Sequence, residues 1–276
     1  MIQALPGYTV AQLLRDDEQF VLLRAVRDAD GLPVLVLVAR EGCGEACARL
    51  EHEFSLRAEL DASAAALPLA LVRASSTLAL VLADDGADPL VPVALGHALS
   101  PLDFVRLAAP LAQALAQLHR CELVHQDLRP EHILVGTGPD ARVALRLTGF
   151  GCTARLRALT PMLAAPSPVY RAPEQDGQAA RPADARSDLY ALGVLLYQML
   201  CGVLPFAADD AAQWSRCHLA HVPAAPEQVR PGVDPACAQI VQKLLAKCPD
   251  ARYQSAAGLH ADLLHCLDMI VAHGRA

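Results

Sequence analysis

Apolar positions fall into short runs broken by turn residues in the first third of the chain, and into longer helical patterns after it. Positions 8–40 predict three strands. The run Val34-Leu35-Val36-Leu37-Val38 is unbroken, rich in β-branched residues, and preceded by Asp30-Gly31, a hairpin signal. Glu45 to Leu60 is dense in helix formers and predicts one helix. Leu67–Arg73 and Leu78–Leu82 predict two more strands, and Asp84-Asp85-Gly86-Ala87-Asp88-Pro89 reads as a turn and a linker.

Beyond the linker the pattern is helical. Ser100-Pro101-Leu102-Asp103 combines a capping hydroxyl, a proline at the first helical position and an acid at the third. Phe104, Leu107, Ala108, Leu111, Leu115 and Leu118 then recur at helical spacing, to an end near Arg120. Further helices are predicted over 187–201, 234–247 and 256–272, the last capped by Ser255. No internal repeat is present. The pattern predicts a β-rich lobe over 1–88 and a helical lobe over 89–276.

Composition narrows the class. A 276-residue chain with 54% hydrophobic and 19% charged residues folds around a sizeable core. The net charge of −7 and the absence of a Lys/Arg run argue against nucleic acid or an anionic membrane as partner. Tyr190 to Ala208 carries no charge, but Gln198, Gly202 and Pro205 interrupt it and Asp188 and Asp209 flank it. It reads as a buried helix, with no membrane span. MIQALPGYTV lacks the features of a signal peptide. The nine cysteines read as reduced thiols of a cytoplasmic protein; Cys43/Cys47 and Cys217/His218/His221 leave a zinc site as the alternative. The only lysines are Lys243 and Lys247.

Four motifs in order carry a resemblance. They are His125-Gln126-Asp127, Tyr170-Arg171-Ala172-Pro173-Glu174-Gln175, Arg186-Ser187-Asp188-Leu189-Tyr190-Ala191-Leu192-Gly193 and Asp250-Ala251-Arg252-Tyr253. Together with the layout they resemble a protein kinase domain. The implied class is α+β: a bilobal kinase-like fold with a small antiparallel β-lobe bearing one helix, and a larger, mainly helical lobe. The stretch PEQDGQAARPADARSDLYALG is similar to the serine/threonine-kinase-like domain at the N-terminus of large bacterial signalling proteins, where ATPase and histidine-kinase modules follow. Small-molecule phosphotransferases also use an H-x-D-x-x-x-x-N loop, but they lack the segments at 172–174 and 187–193.

The resemblance implies a set of chemical parts, and several are missing. The glycine loop falls at LRDDEQFVLLR, which has no glycine and offers Asp16, Asp17 and Glu18 instead. The strand lysine falls at Leu37; Arg40, the nearest base, is expected on the other strand face. Glu53 takes the helix-glutamate position and is expected to pair with Arg57 one turn on. Asp127 retains the base position and Arg129 replaces a lysine. His132 replaces the metal-binding asparagine, and Gly149-Phe150-Gly151 lacks the metal-binding aspartate, for which Asp140 is badly placed. The resemblance gives structural roles to His125, Phe150, Glu174, Asp188 and Arg252.

The expectation is a pseudokinase with no cofactor and no metal, acting on a protein partner or on further domains of the same signalling chain. The alternative is an atypical serine/threonine kinase with weak ATP-dependent transfer through Asp127. Asp127 is expected in an open cleft, so Asp127→Ala should hardly affect folding whereas Asp188→Ala should destabilise. Restoring Leu37→Lys, His132→Asn and Gly149→Asp should restore weak nucleotide binding.

Overall fold

A computed structural model describes residues 5–74, 77–90, 97–138, 143–156, 166–176 and 182–273. The strands β1 (Tyr8–Asp16), β2 (Phe20–Arg27), β3 (Pro33–Ala39), β4 (Pro68–Ala74) and β5 (Thr77–Ala83) form one antiparallel sheet in the order β1-β2-β3-β5-β4. Alternation along β3 decides what faces the cleft. Leu35, Leu37 and Ala39 point inward to Leu22, Leu80 and Leu82, while Val34 and Val36 join Leu23, Ala25, Ala79 and Val81 on the outer face.

Helix α1 (Gly44–Ser55) packs Ala46 and Leu50 onto the inner face of the sheet. It stops short of the predicted Leu60. Leu56 and Leu60 leave the helix because they are buried in the core of the other lobe, and that burial outweighs local helix propensity. The predicted linker is held by side-chain and strand hydrogen bonds. Arg24 donates to Asp84 (2.8 Å), Asp88 (3.0 Å) and the Ala87 carbonyl (2.6 Å), and β6 (Asp88–Pro89) pairs with β8 (Ile133–Thr137) across the lobe boundary.

The large lobe is mainly helical. Helix α2 (Pro101–Arg120) begins where the capping signal places it, with Ser100 Oγ accepting from the Asp103 N–H at 3.2 Å. Two-residue β7 (Leu123–Val124) leads into the loop at 125–132, and β8 pairs with β9 (Val143–Leu147). Helix α3 (Ala185–Cys201) is buried nearly all round and ends at Gly202 (φ 78°). Among the described residues no helix is long and apolar enough to cross a membrane. Helix α4 spans Ala211–Ala220 and a short α5 spans Pro226–Val229. Helix α6 (Pro235–Leu244) ends earlier than predicted, because the Arg252 guanidinium takes the carbonyls of Ala246 and Lys247 (2.7 and 2.9 Å) out of helical register. Helix α7 (Ala256–His273) follows Ser255, whose Oγ accepts the Gly258 N–H at 3.1 Å.

Candidate active-site cleft

The loop at 125–132 is held from below. Gln126 has φ 65°, a left-handed backbone that costs a non-glycine residue stability. Asp188 offsets that cost, accepting the N–H groups of His125 and Gln126 at 2.8 Å each, while His119 Nε2 lies 2.9 Å from its Oδ2. His125 is fully buried, and burial lowers its pKa, so the ring is neutral. Nε2–H donates to the Thr148 carbonyl (2.9 Å) and the ring packs on Phe150 (centroids 5.2 Å apart). Farther out, Arg252 grips Glu174 through two bonds of 2.6 and 2.9 Å, both side chains buried, and Ser187 Oγ donates to the same carboxylate.

Asp127 does not sit in an open cleft. Its side chain is 2% exposed. Arg49 of α1 donates to Oδ2 from the small lobe, the Ser167 N–H donates to Oδ1 at 2.9 Å, and Arg129 Nε stands 3.8 Å from Oδ2. The carboxylate therefore joins the lobes. Arg49 also donates to Gln19 Oε1 (3.2 Å), beside the hairpin tip.

His132 and Gly149 are coupled. Burial, and the charge of Arg129 after it, hold His132 well below its ordinary pKa, so the imidazole is neutral. Nδ1–H donates to the Asp127 carbonyl at 2.7 Å and Nε2 accepts from Arg129 at 3.3 Å, which uses both ring nitrogens. A Cβ on Gly149 would fall 2.4 Å from the His132 ring, and Gly149 has φ 73°. The imidazole thus fills the space that a side chain at 149 would enter. Gly151 is equally constrained, since its Cβ would meet Arg49 Cβ at 2.6 Å.

Glu53 is 1% exposed and does not pair with Arg57. It accepts from the Gly149 N–H at 3.1 Å and from the Phe150 N–H. Burial pushes its pKa up to about 7, against the opposing pull of those bonds and of Arg49 and Arg15. Arg57 lies instead over the Phe54 ring (4.4 Å) and donates to the Phe54 carbonyl.

The hairpin tip turns its acids to its own arginines. Arg40 pairs with Asp16 and donates to the Asp17 carbonyl; Asp17 also pairs with Arg15 (2.9 Å) and caps the N–H groups of Gln19 and Phe20. Glu18 is exposed. Arg15 reaches across to the Glu131 carbonyl at 2.6 Å. Asp140 lies outside the described residues. His218 is buried between Tyr190 and the Val169 carbonyl, 3.0 Å from each, and among the described residues no three His, Cys, Asp or Glu side chains cluster as a metal site.

Arg15, Arg24 and Arg49 were not distinguishable in the sequence as site residues. The one available signal was the spacing of Arg49 and Glu53, four apart on one helix face.

Residues 82–264 match the model of the protein kinase domain. The chain belongs to the protein kinase domain family. The match begins at the end of β5, so it leaves out most of the sheet that carries Leu37 and the hairpin over 14–24. Over 169 residues this kinase domain is 34% identical to serine/threonine-protein kinase pkn3 of Myxococcus xanthus, covering 58% of the chain and 30% of the relative. Over 177 residues it is 36% identical to the DNA damage-responsive serine/threonine-protein kinase RqkA of Deinococcus radiodurans, covering 62% and 26%. A 94-residue stretch is 44% identical to hybrid signal transduction histidine kinase G of Dictyostelium discoideum, covering 34% of the chain and 3% of that protein. The matched stretch thus covers between 23% and 41% of the length of these bacterial relatives.

Proposed function

We propose that this kinase domain is a pseudokinase: a folded regulatory or protein-interaction module of signal transduction that does not carry out ATP- and Mg²⁺-dependent phosphoryl transfer. The observation that carries the proposal is the burial of Asp127, whose side chain is 2% exposed between Arg49 and the Ser167 N–H. A base must lie within hydrogen-bond reach of the substrate hydroxyl, and a carboxylate buried in this way is closed to one.

The cleft residues do not fit ATP and Mg²⁺. Leu22, Leu35, Leu37, Leu82 and Leu134 are each at most 5% exposed and pack together across the space between the lobes. Position 37 offers a methyl group to a phosphate. Position 149 offers no carboxylate, and both nitrogens of His132 are engaged. The partner in this reading is another protein, or a further domain of the same chain, in the cytoplasm. The 44% identity to part of a hybrid signal transduction histidine kinase supports the latter.

The second reading, an atypical serine/threonine kinase acting through Asp127, is favoured by the printed names of the bacterial relatives. Thermal melting with millimolar ATP and either Mg²⁺ or Mn²⁺ separates the two, because any ligand of the native state raises Tm. The expected result is no shift. A rise of several degrees that saturates with ATP replaces the pseudokinase reading by the second one.

A further inference from the structure

Cys43 and Cys47 lie one turn apart at the start of α1, in the sequence Gly42-Cys43-Gly44-Glu45-Ala46-Cys47. The Cys47 N–H donates to the Cys43 carbonyl at 3.2 Å, so the two residues stand one turn apart, and both side chains pack against the same small-lobe cluster. Both are half-buried at the edge of the small-lobe cluster. Cys152, Cys201, Cys217, Cys237 and Cys266 are buried instead.

Residues one helical turn apart have Cβ atoms about 5–6 Å from each other. A disulfide needs roughly 3.5–4.5 Å. The difference has to come from backbone movement, and the movement is available on one side only. Cys43 is the N-cap, outside the helix (φ −93°, ψ 82°), and its side chain makes no capping bond. Gly42 (φ 77°) and Gly44 flank it, with open space where their Cβ atoms would be. Cys47, by contrast, lies inside the helix, next to the tightly packed Ala46. Closing a bridge therefore requires Cys43 to move toward Cys47.

We propose that Cys43 and Cys47 are a modification site, a reversible dithiol–disulfide pair reacting with small disulfides of the glutathione class. One cysteine thiolate attacks a sulfur of glutathione disulfide, forming a mixed disulfide and releasing one glutathione thiolate. The other cysteine thiolate attacks the protein-side sulfur, closing the Cys43–Cys47 bond and releasing the second. The two thiol protons end on the two glutathiones, and the two electrons lost by the protein reduce the glutathione disulfide. The bridge ties the deformable N-cap to the helix two residues before Arg49, the residue that holds Asp127. The inference does not depend on whether the domain binds nucleotide.

The folded protein is equilibrated across a series of reduced-to-oxidised glutathione ratios, quenched with an alkylating agent and digested with trypsin. Cleavage after Arg40 and Arg49 puts both cysteines on one peptide, 41–49. The expected result is conversion of that peptide from the doubly alkylated form to an internal disulfide, about 2 Da lighter than the dithiol, and reversal by dithiothreitol. Exposed Cys248 has no cysteine near it in sequence and reports by its mixed disulfide that the buffer has reacted. Double alkylation at every ratio in which Cys248 reacts overturns the proposal. So does glutathione on one cysteine without ring closure, or bonding of either cysteine to another peptide.

Discussion

At the scale of single residues, the positions that differ from the kinase motifs are not independent of one another. His132 and Gly149 share one volume, because a Cβ at 149 overlaps the imidazole. Gly149→Ala is expected to cost about 2–4 kcal/mol, from left-handed backbone strain together with overpacking. His132→Asn is expected to relieve most of the overpacking part. Urea melts of both single variants and the double variant read the coupling, and simple additivity of the two costs would refute it. Asp127 and Arg49 form a second coupled pair, with side chains 2% and 7% exposed. The open-cleft expectation made Asp127 dispensable. Burial reverses it: Asp127→Ala is expected to destabilise by about 3–5 kcal/mol, because it leaves a guanidinium buried and unpaired. Adding Arg49→Ala should return part of that loss, which the same melts would show. Asp188→Ala is also expected to destabilise, through two buried N–H groups left without an acceptor.

At the scale of elements, α1 carries the largest change of role. Its glutamate has no strand lysine and bonds the backbone at Gly149 and Phe150 instead. With its pKa raised from 4.5 to about 7, folded Glu53 holds a proton that the unfolded chain has released between those values. The protonated group's contribution is therefore full below pH ~4.5 and is lost as pH rises through about 7, by up to about 3 kcal/mol. Glu53→Gln keeps an acceptor for the backbone and cannot titrate. The difference in urea stability between wild type and Glu53→Gln should move in favour of the variant from pH 5 to pH 7.5. A difference independent of pH would show that Glu53 does not titrate in this range. His125 and His132 titrate in both proteins and cancel in the comparison.

At the scale of the whole molecule, side chains cross from each lobe to the other. Leu134 of the large lobe is 1% exposed within the small lobe's cluster, Arg49 reaches down to Asp127, and Arg15 reaches down to the Glu131 carbonyl. This alters the outcome expected from rebuilding the lost polar groups. The variant combining Leu37→Lys, His132→Asn and Gly149→Asp replaces chemistry but makes no room, so calorimetry with ATP and Mg²⁺ is expected to show no binding. Adding Arg49→Ala and Leu35→Ala frees the carboxylate and opens the leucine cluster, and weak binding is expected only then. Binding by the triple variant alone would mean that the closed cleft opens readily.

Local signals in the sequence were enough for the capped helix starting after Ser100, the β3 run Val34–Val38, and the order of motifs from His125 to Arg252. Each depends on residues close together in the chain, through period, capping chemistry or turn preference. The early ends of α1 and α6 were not legible, because Leu56, Leu60 and Arg252 are held by residues far away in sequence. The same distance hid the site. Arg49 lies 78 positions from Asp127 and Arg15 lies 116 from Glu131. The sequence alone determined which side chains expected from the resemblance are absent, since residue identity is read position by position. What replaced them was decided only by the tertiary structure, because a buried carboxylate takes whichever cation and N–H groups the packed lobes bring within reach.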